Sequence, residues 1–334
     1  MTATKILALV LAGGEGSRLY PLTAEHAKPA LPFAGGYRIV DFVLSNLVNS
    51  GISSIYVLAQ YKPQSLIRHI RAVWAHSSQS PERFVNVVLP KTGAEPGRFE
   101  GTADAVYQNL HLIERHRPDL VAVFAADHIY RMDVRQMVRC HVERGADVSI
   151  AAVPVPVPVE KASPFGIIVT GSDGRVTDFQ EKPDRPAPIP AEPKRAYASM
   201  GNYLFNPRVL AELLQQAHQH RETDFGRHVL PRARCSHRAF AYDFASNRVP
   251  GVRRHEERGY WRDVGTIEAY AAARQDVSGP KPRFSLINNE WPIYARSYRR
   301  RAPELGDRAI SDANQALVRE SGRTSHIVQP QMGK

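Results

Sequence analysis

Cysteine is scarce in this chain of 334 residues: Cys140 and Cys235 are far apart and lack metal-ligand spacing. That excludes a disulfide framework, and a reducing cytoplasm fits it best. Long apolar runs are missing too. No stretch approaches the roughly 18 apolar residues of a membrane span, and the first, Ile6 to Ala12, leads straight into glycines without a small-residue cleavage site. Neither a membrane anchor nor a signal peptide is expected. There is no long internal repeat and no basic stripe interleaved with aromatics. Lys and Arg number 44 against 33 Asp and Glu, a net charge of +11, yet apart from Arg299, Arg300 and Arg301 the cations are scattered. Nucleic acid is therefore not the expected partner, and a basic chain equally suits small phosphorylated ligands.

What is present reads as a folded α/β protein. Hydrophobic residues at 43% and charged ones at 23% exclude disorder throughout, and the length suits one large domain with an appendage. Ile6–Leu11 is a buried strand ending at Gly13-Gly14. Ile39, Val40, Val43, Leu44, Leu47 and Val48 recur at helical spacing and stop at Asn49-Ser50-Gly51. Strands follow at Ile55–Leu58, Phe84–Leu89 and Val121–Phe124, with helices around Leu66–Trp74 and over Thr102–His116. Such alternation predicts a parallel sheet with helices on both faces. After Ala151 the pattern changes. The Val-Pro alternation of Val153–Val159 is incompatible with a central strand, since alternate residues lack an N–H. Gly166–Val169 and Val176–Phe179 read as a β-hairpin, Pro183–Pro193 as an exposed loop, Tyr203–Phe205 and Phe240–Phe244 as strands, and Pro207–Ala217 and Thr266–Ala273 as helices. The folded domain is placed at 1–279; from Pro280 to Lys334 a linker and a poorly ordered polar, basic tail are expected.

Chemistry concentrates first at Leu11-Ala-Gly-Gly-Glu-Gly-Ser-Arg-Leu19. Glycines here let a backbone approach phosphate closely, and successive N–H groups can form an anion nest. A P-loop would need Lys-Ser/Thr after its second glycine, and a dinucleotide fingerprint from Gly14 would need glycine where Leu19 stands. Both fail. A simple tight turn remains the competing reading, weighed against three nearby cations, Arg18, Lys28 and Arg38, that suit a polyphosphate.

Gly14-Glu-Gly-Ser-Arg-Leu-Tyr-Pro-Leu-Thr23 followed by Ala27-Lys-Pro-Ala30 resembles the signature of sugar-1-phosphate nucleotidyltransferases. Gly36-Tyr-Arg-Ile-Val-Asp-Phe42, Gln60-Tyr61, Gly101-Thr-Ala-Asp-Ala-Val106, Asp127-His-Ile-Tyr130, Phe165-Gly166, Glu181-Lys-Pro183, Ser199-Met-Gly201 and Tyr260-Trp-Arg-Asp-Val-Gly-Thr266 follow in order. As an ordered set, over about residues 5–294, they are similar to the glucose-1-phosphate adenylyltransferase family. The resemblance implies a Rossmann-like, mixed but mostly parallel sheet of the nucleotide-diphospho-sugar transferase type, and a cytoplasmic, homo-oligomeric enzyme of glycogen synthesis making ADP-glucose and pyrophosphate from ATP and glucose 1-phosphate. It implies Arg18, Lys28 and Asp127 as catalytic residues. Leu11, Gly13, Gly14, Gly16, Gln60, Gly101 and Thr102 would bind the nucleotide. Phe99, Gly166, Glu181, Lys182, Ser199 and Gly201 would bind the sugar phosphate, and Asp127 and Asp263 would hold Mg²⁺.

The residue types suit such a reaction. A phosphate monoester with a second pKa of about 6 is largely dianionic at neutral pH and attacks without a protein nucleophile. The protein supplies positioning and charge neutralisation. Read without the resemblance, Asp127 past its strand and Asp263 are equally loop caps or surface ion pairs, and Lys182 a solvated charge. Departures from the family pattern are Phe99-Glu100 where tyrosine and arginine are common, Glu25 and His26 where activator-binding relatives carry cations, and Tyr298-Arg-Arg-Arg301 with a polar tail in place of left-handed β-helix repeats. The last suggests a truncated or divergent form, weakly active and weakly regulated. Competing readings are a UDP- or dTDP-glucose pyrophosphorylase and a catalytically weak partner subunit that binds sugar phosphate or nucleotide.

Overall fold

The N-terminal apolar run forms β1 (Ile6–Ala12), an inner strand of the parallel half of the sheet. The structure, a computed structural model, describes residues 4–74, 83–91, 97–156, 165–190 and 192–295. After β1 come a short hairpin, β2 (Pro32–Phe33) and β3 (Tyr37–Arg38), and then α1 (Ile39–Asn49), β4 (Ser54–Ala59), α2 (Pro63–Val73) and β5 (Phe84–Val88). Next are α3 (Thr102–Tyr107), α4 (Leu110–His116), β6 (Leu120–Ala125), β7 (His128–Tyr130), α5 (Val134–Glu143) and β8 (Val148–Pro156). The rest comprises β9 (Gly166–Thr170), β10 (Val176–Glu181), β11 (Arg195–Phe205), α6 (Pro207–Gln219), α7 (Leu230–Ser236), β12 (Ala239–Asp243), β13 (Trp261–Asp263) and α8 (Ile267–Asp276).

Strands β5, β4, β1 and β6 lie side by side and parallel. Beyond β6 the sheet turns antiparallel through β11, which also pairs with β8 and β9. Side chains alternate along β1. Leu7 and Leu9 join a core with residues of α3 and α6, whereas Ala8, Val10 and Ala12 join one with residues of α1, α2 and α5. Helices therefore cover both faces, as the alternating pattern implies, in the mixed Rossmann-like arrangement that the resemblance implies.

Four expectations need adjustment. Residues 153–156 do belong to a strand, the end of β8. It pairs there with β11 alone, because β12 stops opposite Ala152; a one-sided edge tolerates proline, and residues 157–159 lie outside the described ones. The helix expected over Thr102–His116 is two helices. Buried Asn109 at the break gives its side-chain N–H to Ala105 O at 2.8 Å, competing with the helical ladder. The strand seen at Tyr203–Phe205 begins already at Arg195. Residues 280–295 are more than a linker: Phe284, Trp291, Ile293 and Ala295 are buried, Asn49 Nδ2 donates to Pro292 O at 2.8 Å, and Tyr294 N donates to Ser45 Oγ at 2.9 Å. The remainder of the expected tail lies outside the described residues.

Candidate active site

The C-terminal ends of β1, β4 and β6 open onto a cleft of about 470 Å³, where open α/β sheets place their ligands. Thirteen sequence-predicted residues line it: Leu11, Gly13, Gly14, Lys28, Gln60, Phe99, Gly101, Thr102, Asp127, Gly166, Glu181, Ser199 and Gly201. Gly16, Arg18, Lys182 and Asp263 are not among its walls. Gly16 acts from behind. At φ +69° it holds a conformation that suits glycine, and a Cβ there would stand 3.1 Å from Lys28 Cβ. Arg18 is exposed, with a guanidinium nitrogen 3.2 Å from a Cβ position at Gly265.

Lys28 is the centre of the site. It begins a short 3₁₀ turn, Lys28–Ala30, and is 8% exposed. Its Nζ donates to Asp127 Oδ2 at 2.9 Å and to Asp263 Oδ1 at 3.3 Å. A small two-stranded ladder, not the main sheet, brings the acids together: β13 pairs antiparallel with β7, setting Asp263 opposite His128 and so next to Asp127. Ligand atoms of Asp127, His128 and Asp263 lie within 4.8 Å of one another. Burial alone would raise the Asp127 pKa, but the Lys28 ammonium, His128 and the hydrogen bond from Lys28 outweigh it and hold the carboxyl well below the usual range. Burial likewise works against the charge on Lys28, and the two aspartates overcome it to raise its pKa. Two carboxylates at a solvent-facing mouth are the hard-oxygen donor set that a divalent cation with retained waters takes.

At the other end of the cleft, Glu181 closes β10 opposite Gly166. Burial is the main cause raising its pKa, with Lys182 opposing. Gly226 is glycine for a visible reason: a Cβ there would be 2.5 Å from Glu181 Oε2. Ser199 borders and Gly201 lies within an irregularity in β11, where the pairing with β8 shifts between Ser199 and Tyr203; such bulges re-aim side chains beside functional sites. Lys182 is exposed, at φ +50°, with Nζ 3.6 Å from Glu181 Oε1. Phe99, grouped by sequence with the sugar-phosphate residues, packs at the glycine-loop end instead. Its ring reaches to 3.9 Å from a Gly13 Cβ position, its N–H donates to Gln60 Oε1, and Gln60 Nε2 donates back to Phe99 O at 3.2 Å.

Other wall residues escaped the sequence reading. His128 was visible within its motif but had no role assigned. Asp224, Phe225 and Gly226 form one end of the cleft at a wide π-helical turn, Phe225–Val229. Asp224 caps that turn through Arg227 N at 3.0 Å and accepts from Thr102 Oγ1 at 3.2 Å, while Phe225 N donates to Thr102 Oγ1 at 2.9 Å. Asp224 ahead of the Val229-Leu230 apolar pair is an N-cap signal; nothing local shows that it meets Thr102.

A family model described as Nucleotidyl transferase matches residues 7–279. The chain is 54% identical over 297 residues to a glucose-1-phosphate adenylyltransferase of Thermodesulfovibrio yellowstonii, covering 88% of this chain and 71% of that protein. Relatives of the same name from Thermus thermophilus and Anaeromyxobacter dehalogenans are each 49% identical, over 88% of this chain and 72% and 71% of their own lengths.

Proposed function

The chain belongs to the nucleotidyl transferase family and, within it, to the glucose-1-phosphate adenylyltransferases, and from that premise we propose that it makes ADP-glucose from ATP and glucose 1-phosphate in the cytoplasm, where both of its cysteines stay free thiols. A phosphate oxygen of glucose 1-phosphate bonds to the α-phosphorus of ATP. The bond from that phosphorus to the bridging oxygen breaks, and pyrophosphate leaves with the electron pair. No side chain acts as nucleophile; the residues position the two phosphates and neutralise charge. The backbone of Gly13 and Gly14 lies against the nucleotide phosphates, and Arg18 and Lys28 neutralise them. Gln60, Gly101 and Thr102 form the nucleotide wall. Glu181, Ser199 and the Gly166 and Gly201 backbone take the sugar hydroxyls, and Lys182 swings from Glu181 to the sugar phosphate.

Asp127 and Asp263 would hold Mg²⁺, which when bound neutralises charge on the transferring phosphate. One observation carries the reading: two aspartates 136 positions apart in sequence converge on a single ammonium at the mouth of the glycine-loop cleft. The test is pyrophosphate release from purified protein with glucose 1-phosphate and ATP, UTP or dTTP in parallel, with and without Mg²⁺. ATP- and Mg²⁺-dependent release is expected. Preference for UTP or dTTP assigns the chain to the sibling reaction, and no release with any nucleotide overturns the reading.

A further inference from the structure

We propose that Lys28 is a resident counter-cation that keeps a divalent ion off the Asp127–Asp263 pair until the phosphates of a nucleotide draw its ammonium away. The inference rests on the reading of these aspartates as the metal-holding pair and adds an internal competitor to it.

The geometry carries the argument. Two carboxylates within 4.8 Å of each other repel unless a cation lies between them. Lys28 Nζ occupies that place, 2.9 Å from one acid and 3.3 Å from the other. The Lys28 side chain is 10% exposed, whereas those of the two acids are 37% and 26% exposed, so the lysine approaches from the sheltered side of the pair. Gly16 leaves room for its stem, since a Cβ there would stand 3.1 Å from Lys28 Cβ. One positive charge thus cancels half the negative charge that would attract a divalent ion, and does so at contact distance. Its hydrogen bonds also occupy one oxygen of each acid. An anionic triphosphate arriving against Gly13 and Gly14 offers the ammonium alternative acceptors and restores the full negative charge of the pair. Metal and nucleotide then bind with positive coupling, a reciprocal effect by linkage.

The test uses the full chain without nucleotide and reads Mn²⁺ binding by electron paramagnetic resonance, with thermal melting in parallel. The wild type should take up Mn²⁺ weakly. Lys28→Met should bind it tighter by about tenfold or more, the scale set by removing a unit charge a few ångströms away, and Lys28→Arg should stay near the wild type. Without metal, Lys28→Met should melt lower than the wild type and recover on adding Mn²⁺. Equal or weaker Mn²⁺ binding by a folded Lys28→Met overturns the proposal. If that variant does not fold, the wild type decides: Mg²⁺ alone should leave its melting temperature in place, and a rise that saturates at low Mg²⁺ overturns the proposal. The reaction assay separates the two readings. Activity without any metal difference removes the counter-cation alone, whereas a metal difference without activity removes the proposed reaction and leaves the competition standing.

Discussion

Lys182 sits where few non-glycine residues do, at φ +50° with its side chain in solvent, and such strain persists where the surroundings enforce it. Its N–H donates to Phe165 O at 3.2 Å, which fixes the backbone, while its ammonium stands 3.6 Å from Glu181 Oε1. Lys182→Ala should therefore raise the half-saturating glucose 1-phosphate by about tenfold or more, the loss of one charge-assisted bond, with the ATP value nearly unchanged; steady-state kinetics varying one substrate at a time would check it. The Lys28–Asp127 pair makes a second prediction, about acid. The Asp127 pKa is depressed in the fold, so its stabilising contribution is complete above its unfolded value of about 3.9 and is lost as pH falls through the lower folded value. The Lys28 pKa is raised, so its contribution is complete below an unfolded value of about 10.4 and is lost as pH rises through the folded value. Melting of metal-free protein against pH should show the acid loss in the wild type and a smaller one in Asp127→Asn.

Among the elements, those with a strong local signal were legible. β1 is a continuous apolar run into glycines, and α1 repeats its apolar residues at helical spacing. The hairpin of β9 and β10 announces itself through Gly171-Ser-Asp-Gly174. Less legible were features set by distant partners: the full length of β11, which three neighbouring strands define, and the turn at Asp224, which depends on Thr102 more than a hundred residues earlier. Convergence of Asp127 and Asp263 came from the family resemblance; local pattern left both as ordinary loop acids, because the three-residue strands β7 and β13 that join them are too short to show a period. The turn also carries a prediction. Gly226→Ala places a methyl group against the Glu181 carboxylate and should weaken glucose 1-phosphate binding while sparing ATP, as titration of each ligand alone would show.

In the whole molecule, residues 280–295 close over one side of the domain. Phe284 packs with Phe42, Tyr260 and Ile293 beneath α8, with the Arg131 guanidinium 4.5 Å from its ring. Arg131 Nη2 also donates to Ser285 O at 2.6 Å, and Glu256 accepts from Ser285 N at 2.8 Å. Phe284→Ala should then cost about 3–5 kcal/mol, the usual toll of emptying a buried aromatic site, measured by urea unfolding. Polar composition hid this segment, since Pro, Arg and Ser mask four buried hydrophobic residues spread over its length.

The long strand β11 has one more consequence. Its C-terminal residues pair with β6, next to the glycine-loop strand, and its N-terminal residues pair with β9, beside the Glu181 hairpin. On the proposed reading, the nucleotide and sugar-phosphate seats hence share one strand, interrupted by the irregularity between Ser199 and Tyr203. On that reading the sheet sets the spacing of the two seats as it forms, and fine alignment falls to the rim: the turns at Gly13, Lys182 and Asp224.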